Sequence, residues 1–246
     1  MTSAAPLLAT TTIPGDGPAT QQVLMLHGIY GRGRNWGAIA RHLTARRPDW
    51  RSVLVDLRMH GDSTGFAPPH TVESAAGDVL ALESHLAVPP RAILGHSFGG
   101  KVALSYAART DVRPLQVWVM DSTPEARTPD GAAWRMLQVL GELPAHFASR
   151  QEAIDLLTPR GVAPAVAAWM TTNLEFRDGR YRWRLDFEVI EALLGDFFRA
   201  DLWDVVEAPA PGLEIVFVKA ESSSTLSEDA CVRIEAAGRA TGRVHL

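Results

Sequence analysis

Hydrophobic residues change rhythm in a regular way along the first half of this chain. Short, nearly unbroken apolar runs occur at Val23-Leu24-Met25-Leu26, Ser52-Val53-Leu54-Val55, Ala92-Ile93-Leu94 and Leu115-Gln116-Val117-Trp118-Val119-Met120. Runs of that length, bounded by turn residues, predict strands buried on both faces. Between them apolar positions recur at helical spacing. Trp36, Ile39, Ala40 and Leu43 predict a helix over 35–46 that Pro48 ends. Val72, Ala75, Val79, Leu82 and Leu86 predict one over 71–86, and Val102, Ala103, Leu104 and Ala107 one that runs to about Arg109. Residues 7–13 read as an opening edge strand, followed by a turn at Pro14-Gly15-Asp16-Gly17-Pro18. Strands alternating with helices in this way predict a mainly parallel sheet with helices on both faces.

The rhythm breaks after Asp121. Residues 122–206 read as a mostly helical insertion. One helix opens near Pro129-Asp130 and carries Trp134, Leu137 and Leu140. A second follows the capping-box pattern Ser149-Arg150-Gln151-Glu152, and a third starts at Pro164. After a polar turn at Arg177-Asp178-Gly179-Arg180, a fourth runs over 187–198. Trp134, Trp169, Trp183 and Trp203 fall in this stretch. Most of them are expected to hold short helices together, and a few to line an acyl pocket under a lid. The first rhythm returns with a strand at Leu213-Glu214-Ile215-Val216-Phe217-Val218-Lys219, a helix capped by Thr225-Leu226-Ser227-Glu228, and the start of one more strand at Gly242-Arg243-Val244-His245-Leu246. The expected organisation is a core domain in two parts, 1–121 and 207–246, split by a helical cap, 122–206.

Chemistry gathers at the strand ends, where open parallel sheets bind ligands. Gly95-His96-Ser97-Phe98-Gly99 sits between a strand and a helix. A serine on so sharp a turn is held in a strained backbone, with glycines on both sides because side chains there would collide with neighbouring elements. The hydroxyl is pushed clear of the sheet, and the amide of Phe98 opens the helix behind it. His27-Gly28-Ile29-Tyr30-Gly31 ends an earlier strand, and Asp121 ends the strand after the serine.

Whole-chain numbers narrow the class. With 246 residues and 46% hydrophobic content, the chain suffices for one α/β domain with a sizeable core plus an insertion. A net charge of -4 gives no reason to expect nucleic acid or an anionic membrane as partner. The single cysteine, Cys231, excludes an intrachain disulfide. No apolar run is long enough to span a bilayer, and the opening residues lack a signal-peptide pattern, so the expected compartment is the cytoplasm. Gly28, Gly31 and Gly33 lack dinucleotide-loop spacing, and no metal-ligand cluster is visible, so no cofactor or metal is expected.

Taken together, His27-Gly28-Ile29-Tyr30-Gly31 after one strand, Asp56-Leu57-Arg58-Met59-His60-Gly61-Asp62-Ser63 after the next and Gly95-His96-Ser97-Phe98-Gly99-Gly100 after the third resemble the motifs of α/β-hydrolase-fold enzymes over nearly the whole chain. Within that superfamily the elbow Gly95-His96-Ser97-Phe98-Gly99-Gly100-Lys101-Val102, with Met120-Asp121-Ser122-Thr123-Pro124 after the next strand, is similar to small serine esterases. The resemblance implies Ser97 as nucleophile, the amides of Ile29 and Phe98 as oxyanion hole, and Asp121 as the acid that orients a histidine, with Glu221 as reserve acid. It implies a carboxylesterase or thioesterase-like activity on a small or medium acyl ester or thioester and leaves the oligomeric state open. It also implies a histidine in the loop after the last strand, and the sequence offers none there. His245 lies inside that strand. The expectation is a chain that stops ahead of this histidine and a final helix, the alternative being a non-catalytic ligand-binding protein on the same fold.

Overall fold

The structure is a computed structural model that describes residues 6–246; the opening residues, read above as lacking a signal segment, otherwise lie outside it. Strands β1 (Thr10–Ile13), β2 (Gln21–Leu26), β3 (Trp50–Val55), β4 (Ala92–His96) and β5 (Leu115–Met120) form with helices α1 (Gly37–Arg46), α2 (Val72–Glu83) and α3 (Phe98–Ala107) between them. The expected 35–46 helix starts earlier, as a turn of 3-10 helix at Gly33–Trp36 that leads into α1. Thr71 caps α2 by accepting from the Ser74 amide at 3.0 Å.

The insertion contributes α4 (Gly131–Gly141), β6 (His146–Phe147), α5 (Arg150–Leu157), α6 (Pro164–Met170), β7 (Leu174–Arg177), β8 (Arg180–Trp183), α7 (Phe187–Arg199) and α8 (Trp203–Glu207). Then β9 (Leu213–Val218), α9 (Glu228–Thr241) and β10 (Val244–His245) return to the main sheet. The cap of α9 is Ser227 rather than Thr225: its hydroxyl accepts from the Ala230 amide at 3.0 Å.

The main sheet has the order β1-β3-β2-β4-β5-β9-β10, with β1 antiparallel to β3 and the remaining pairs parallel. The strand order reverses between β2 and β4, because β3 lies on the far side of β2. Loops leaving β2 and β4 therefore diverge there and open a crevice at the carboxyl edge. The larger core cluster joins the sheet to α2, α3 and the insertion through Leu26, Val79, Ile93, Leu104 and Phe197. A smaller one lies under α1, around Val23, Met25, Ala40 and Leu54.

A second sheet, β6-β8-β7, was not expected within the insertion. Asp178 and Gly179 both take positive φ, 51° and 77°, and turn β7 into β8 as a hairpin. The Asp-Gly pair was visible in the sequence as a turn. The four-residue strands beside it are too short for a period to declare itself.

Lys101 joins the insertion to the elbow helix. Its fully buried ammonium donates to the carbonyls of Glu125, Phe197 and Ala200 at 2.7, 2.6 and 2.6 Å. Two of those carbonyls lie at the C-terminal end of α7, where the helix dipole favours a cation. No helix among the described residues is long and apolar enough to cross a membrane.

Candidate active site

Ser97 sits between β4 and α3 at φ 50° and ψ -115°, a conformation that non-glycine residues rarely adopt. Neighbours on both sides fasten it there. The Ser97 amide donates to the Met120 carbonyl at 3.0 Å, and the Ser97 carbonyl accepts from Gly100 N–H at 2.8 Å and from Ser122 Oγ at 2.7 Å. Strain of this kind persists only where surrounding bonds over-determine it. Phe98 is the first residue of α3, so its amide has no acceptor within the helix.

The loop after β2 lies directly opposite. A Cβ on Gly28 would stand 2.9 Å from His96 Nδ1 and 3.4 Å from Ser97 Cβ, so the two loops approach as closely as bare backbone permits. The Gly28 carbonyl is held inward: it accepts from the Gly31 amide at 2.7 Å and from His27 Nδ1 at 2.8 Å. Because the trans peptide is planar, the Ile29 N–H must point the opposite way, out of the loop. Leu57 N–H donates to His27 Nε2 at 3.0 Å, which places the ring proton on Nδ1. Burial first, and nearby His60 next, hold the His27 pKa well below the ordinary histidine value. The His60 ring spans from the Arg58 carbonyl to that of Ile29, and burial lowers its pKa against the pull of both carbonyls.

Asp121 is the first residue after β5. It takes φ 45°, and its amide continues the ladder to the Val218 carbonyl at 2.8 Å. Its buried Oδ1 has no hydrogen-bond partner. Glu221 is exposed on the loop after β9, whereas Ser222, Ser223 and Ser224 of that loop line a cavity together with Asp121.

None of the eight histidines hydrogen-bonds to Asp121. His96 faces Trp36 across 6.5 Å and Gly28, but it also lines the cavity with Ser97 and Asp121, whose charge pulls its pKa up against the larger lowering by burial. His42, His85 and His146 are exposed. His245 pairs with Val216, two positions short of the end of β9, and its ring meets Glu214 at 3.3 Å, toward the amino edge of the sheet.

Two cavities meet at Ser97. One, about 430 Å³, is lined by Gly28, Ile29, Trp36, Ile39, His96 and Trp169. The other, about 490 Å³, runs past Phe98 and Asp121 to Arg127 and the 222–225 loop. Trp169 is thus the insertion tryptophan that reaches the site. Trp134 stacks edge-on against Phe198 at 5.9 Å, Trp183 against Phe147 at 5.7 Å, and Trp203 lies under the Arg233 guanidinium at 4.1 Å.

A strained serine on a strand-to-helix elbow, at the switch point of a parallel sheet and under a cap, defines a serine hydrolase of the α/β type. The sequence of residues 22–157 matches the family model described as alpha/beta hydrolase fold, and the chain belongs to that family. It is 31% identical over 238 residues to an sn-1-specific diacylglycerol lipase, ABHD11, of Danio rerio, covering 93% of this chain and 72% of that protein. The Mus musculus protein of the same name is 29% identical over 182 residues, and that match spans only 58% of its length. Lipase LipV of Mycobacterium tuberculosis is 29% identical over 223 residues, 85% of this chain and 76% of the lipase. Among solved structures, a marine microorganism esterase superposes with a TM-score of 0.80 at 24% identity, over 94% of this chain and 87% of its own.

Proposed function

We propose that this protein hydrolyses small to medium acyl esters through an acyl-enzyme on Ser97. The observation that carries the reading is the pairing of a strained Ser97 with the unpartnered, buried Asp121 Oδ1 on one cavity. Ser97 Oγ attacks the ester carbonyl carbon and gives its proton to a general base, a part that added imidazole plays in the test below. The carbonyl oxygen becomes an oxyanion, received by the Ile29 and Phe98 amides. The tetrahedral intermediate collapses, the C–O bond to the alcohol breaks, and the base returns the proton to the leaving oxygen. Water then cleaves the acyl-enzyme by the same steps.

Asp121 is the acid in this reading, and Glu221 is not, because Glu221 is exposed and outside the cavity lining. No histidine hydrogen-bonds to Asp121, and His96 is the one that shares its cavity and feels its charge. The cavity among Ser97, Asp121 and the 222–225 loop is where an imidazole serves both partners. A purely ligand-binding role is not favoured beside relatives named as lipases.

The test is turnover of p-nitrophenyl butyrate by the chain and by Ser97→Ala, each with and without added imidazole. The expected result is Ser97-dependent hydrolysis that imidazole raises by a factor of ten or more, as a base normally supplies about 10²–10⁴-fold. Equal rates in both proteins at every imidazole concentration would overturn the assignment.

A further inference from the structure

Helix α6 presents apolar side chains to solvent. Ala163, Pro164, Ala165, Val166, Ala168 and Trp169 are exposed, and only Val162, Ala167 and Met170 are turned inward along this stretch. Residues 161–174 include no charged side chain. Small soluble domains rarely leave a whole helix in this state, because exposed contiguous apolar surface marks a binding face. Across the cavity mouth from α6, Ile39 of α1 is 52% exposed, and Ile39 and Trp169 line the same cavity as Ser97. The bare surface is therefore continuous with the route to the nucleophile.

On the α1 side the charges have one sign, whereas α5, packed against the other side of α6, carries Arg150, Glu152 and Asp155. Residues 32–47 contain five arginines and no carboxylate, in a chain whose net charge is -4. Two of these arginines are spent locally, Arg32 beside Asp62 at 3.8 Å and Arg47 beside Asp49 at 3.4 Å. Arg34, Arg41 and Arg46 are exposed, and none of them pairs with a carboxylate among the described residues. Arg34 reaches across to the cap and donates to the Thr172 carbonyl at 3.3 Å, just past α6. Arg46 lies two turns beyond Ile39 on the same stripe of α1.

We propose that this arginine-flanked apolar rim, α6 with the exposed face of α1, is the surface by which the protein settles on an anionic phospholipid layer. Val166 and Trp169 enter the headgroup region, where an indole ring is at home, and the arginines meet phosphates. The whole-chain charge conceals this, since acidic residues elsewhere outnumber the local arginines.

The experiment is co-flotation of the full chain with phosphatidylcholine vesicles made with and without phosphatidylglycerol. Val166→Asp and Arg46→Glu are run beside it, each first shown to melt like the parent. Binding is read, not hydrolysis, so the outcome is independent of the role given to Ser97. The chain is expected to float with phosphatidylglycerol vesicles, to bind them less in high salt, and to lose about tenfold or more in affinity with either substitution. Failure to float would overturn the proposal, as would binding that neither substitution weakens. A dimer in sedimentation that Val166→Asp turns into a monomer would also overturn it, by assigning the face to a second copy.

Discussion

Gly95→Ala tests the claim that the elbow is built by backbone contact. A Cβ on Gly95 would lie 2.0 Å from the Gly99 carbonyl oxygen, 2.4 Å from its carbon and 2.7 Å from the Gly100 nitrogen. Non-bonded carbon contacts settle at about 3.5 Å, so the first turn of α3 would have to retreat by more than an ångström. No flexible side chain takes up the shift, because all three atoms are main chain. That turn holds Phe98 and is bonded through the Ser97 carbonyl to Ser122, so displacement there spreads to β5. Overpacking of an ordinary core costs about 1–3 kcal/mol, and with rigid partners the expected loss is at the top of that range or above it, about 3–5 kcal/mol. Against a domain stability of about 5–15 kcal/mol this is a large fraction. The measurement is urea unfolding with an unchanged m-value, using Gly141→Ala as control. Nothing lies within 4 Å of a Cβ at Gly141, the last residue of α4, and that substitution should gain about 0.5–1 kcal/mol. A Gly95→Ala protein within about 1 kcal/mol of the parent would refute the account, since ordinary surface substitutions already reach ±0.5 kcal/mol.

Two further predictions follow from the same site. Ser97→Gly should stabilise the fold by about 1 kcal/mol, because glycine adopts φ 50° and ψ -115° without the Cβ strain, while removing the proposed nucleophile; a destabilised Ser97→Gly in thermal melts would show the turn is unstrained. Stability should also fall on acidification from pH 7.5 to 5.5. Burial holds the folded-state pKa of His27 well below the unfolded value, so below about pH 6.5 the unfolded chain binds a proton that the folded one refuses. Stability is thus full above the unfolded pKa and declines below it, by up to about 1.4 kcal/mol per pH unit for each proton so excluded. His96, also lowered chiefly by burial, acts in the same direction. Urea midpoints that stay flat across that interval would contradict the locked, neutral His27.

Local chemistry made much of this protein legible from its sequence. Runs such as Val23 to Leu26 are strands because they are apolar on both faces, and the 71–86 stripe is a helix because its period is helical; both inferences need only neighbours in the chain. The glycines around Ser97 announce an elbow because steric conflict is decided within five residues.

Other features depend on residues far apart in sequence. The small β6-β8-β7 sheet exists because Arg182 finds Glu175 at 2.7 Å and Phe147 finds Trp183, and strands of two to four residues carry no period of their own. The choice between Asp121 and Glu221 rests on which carboxylate is buried beside Ser97, a matter of how β5 and β9 end in space. Lys101 read as part of a motif, and only the fold brings the end of α7 to its ammonium. The bare face of α6 is apolar in any reading. Whether it is core or surface was decided by what packed against it, and among the described residues nothing covers it.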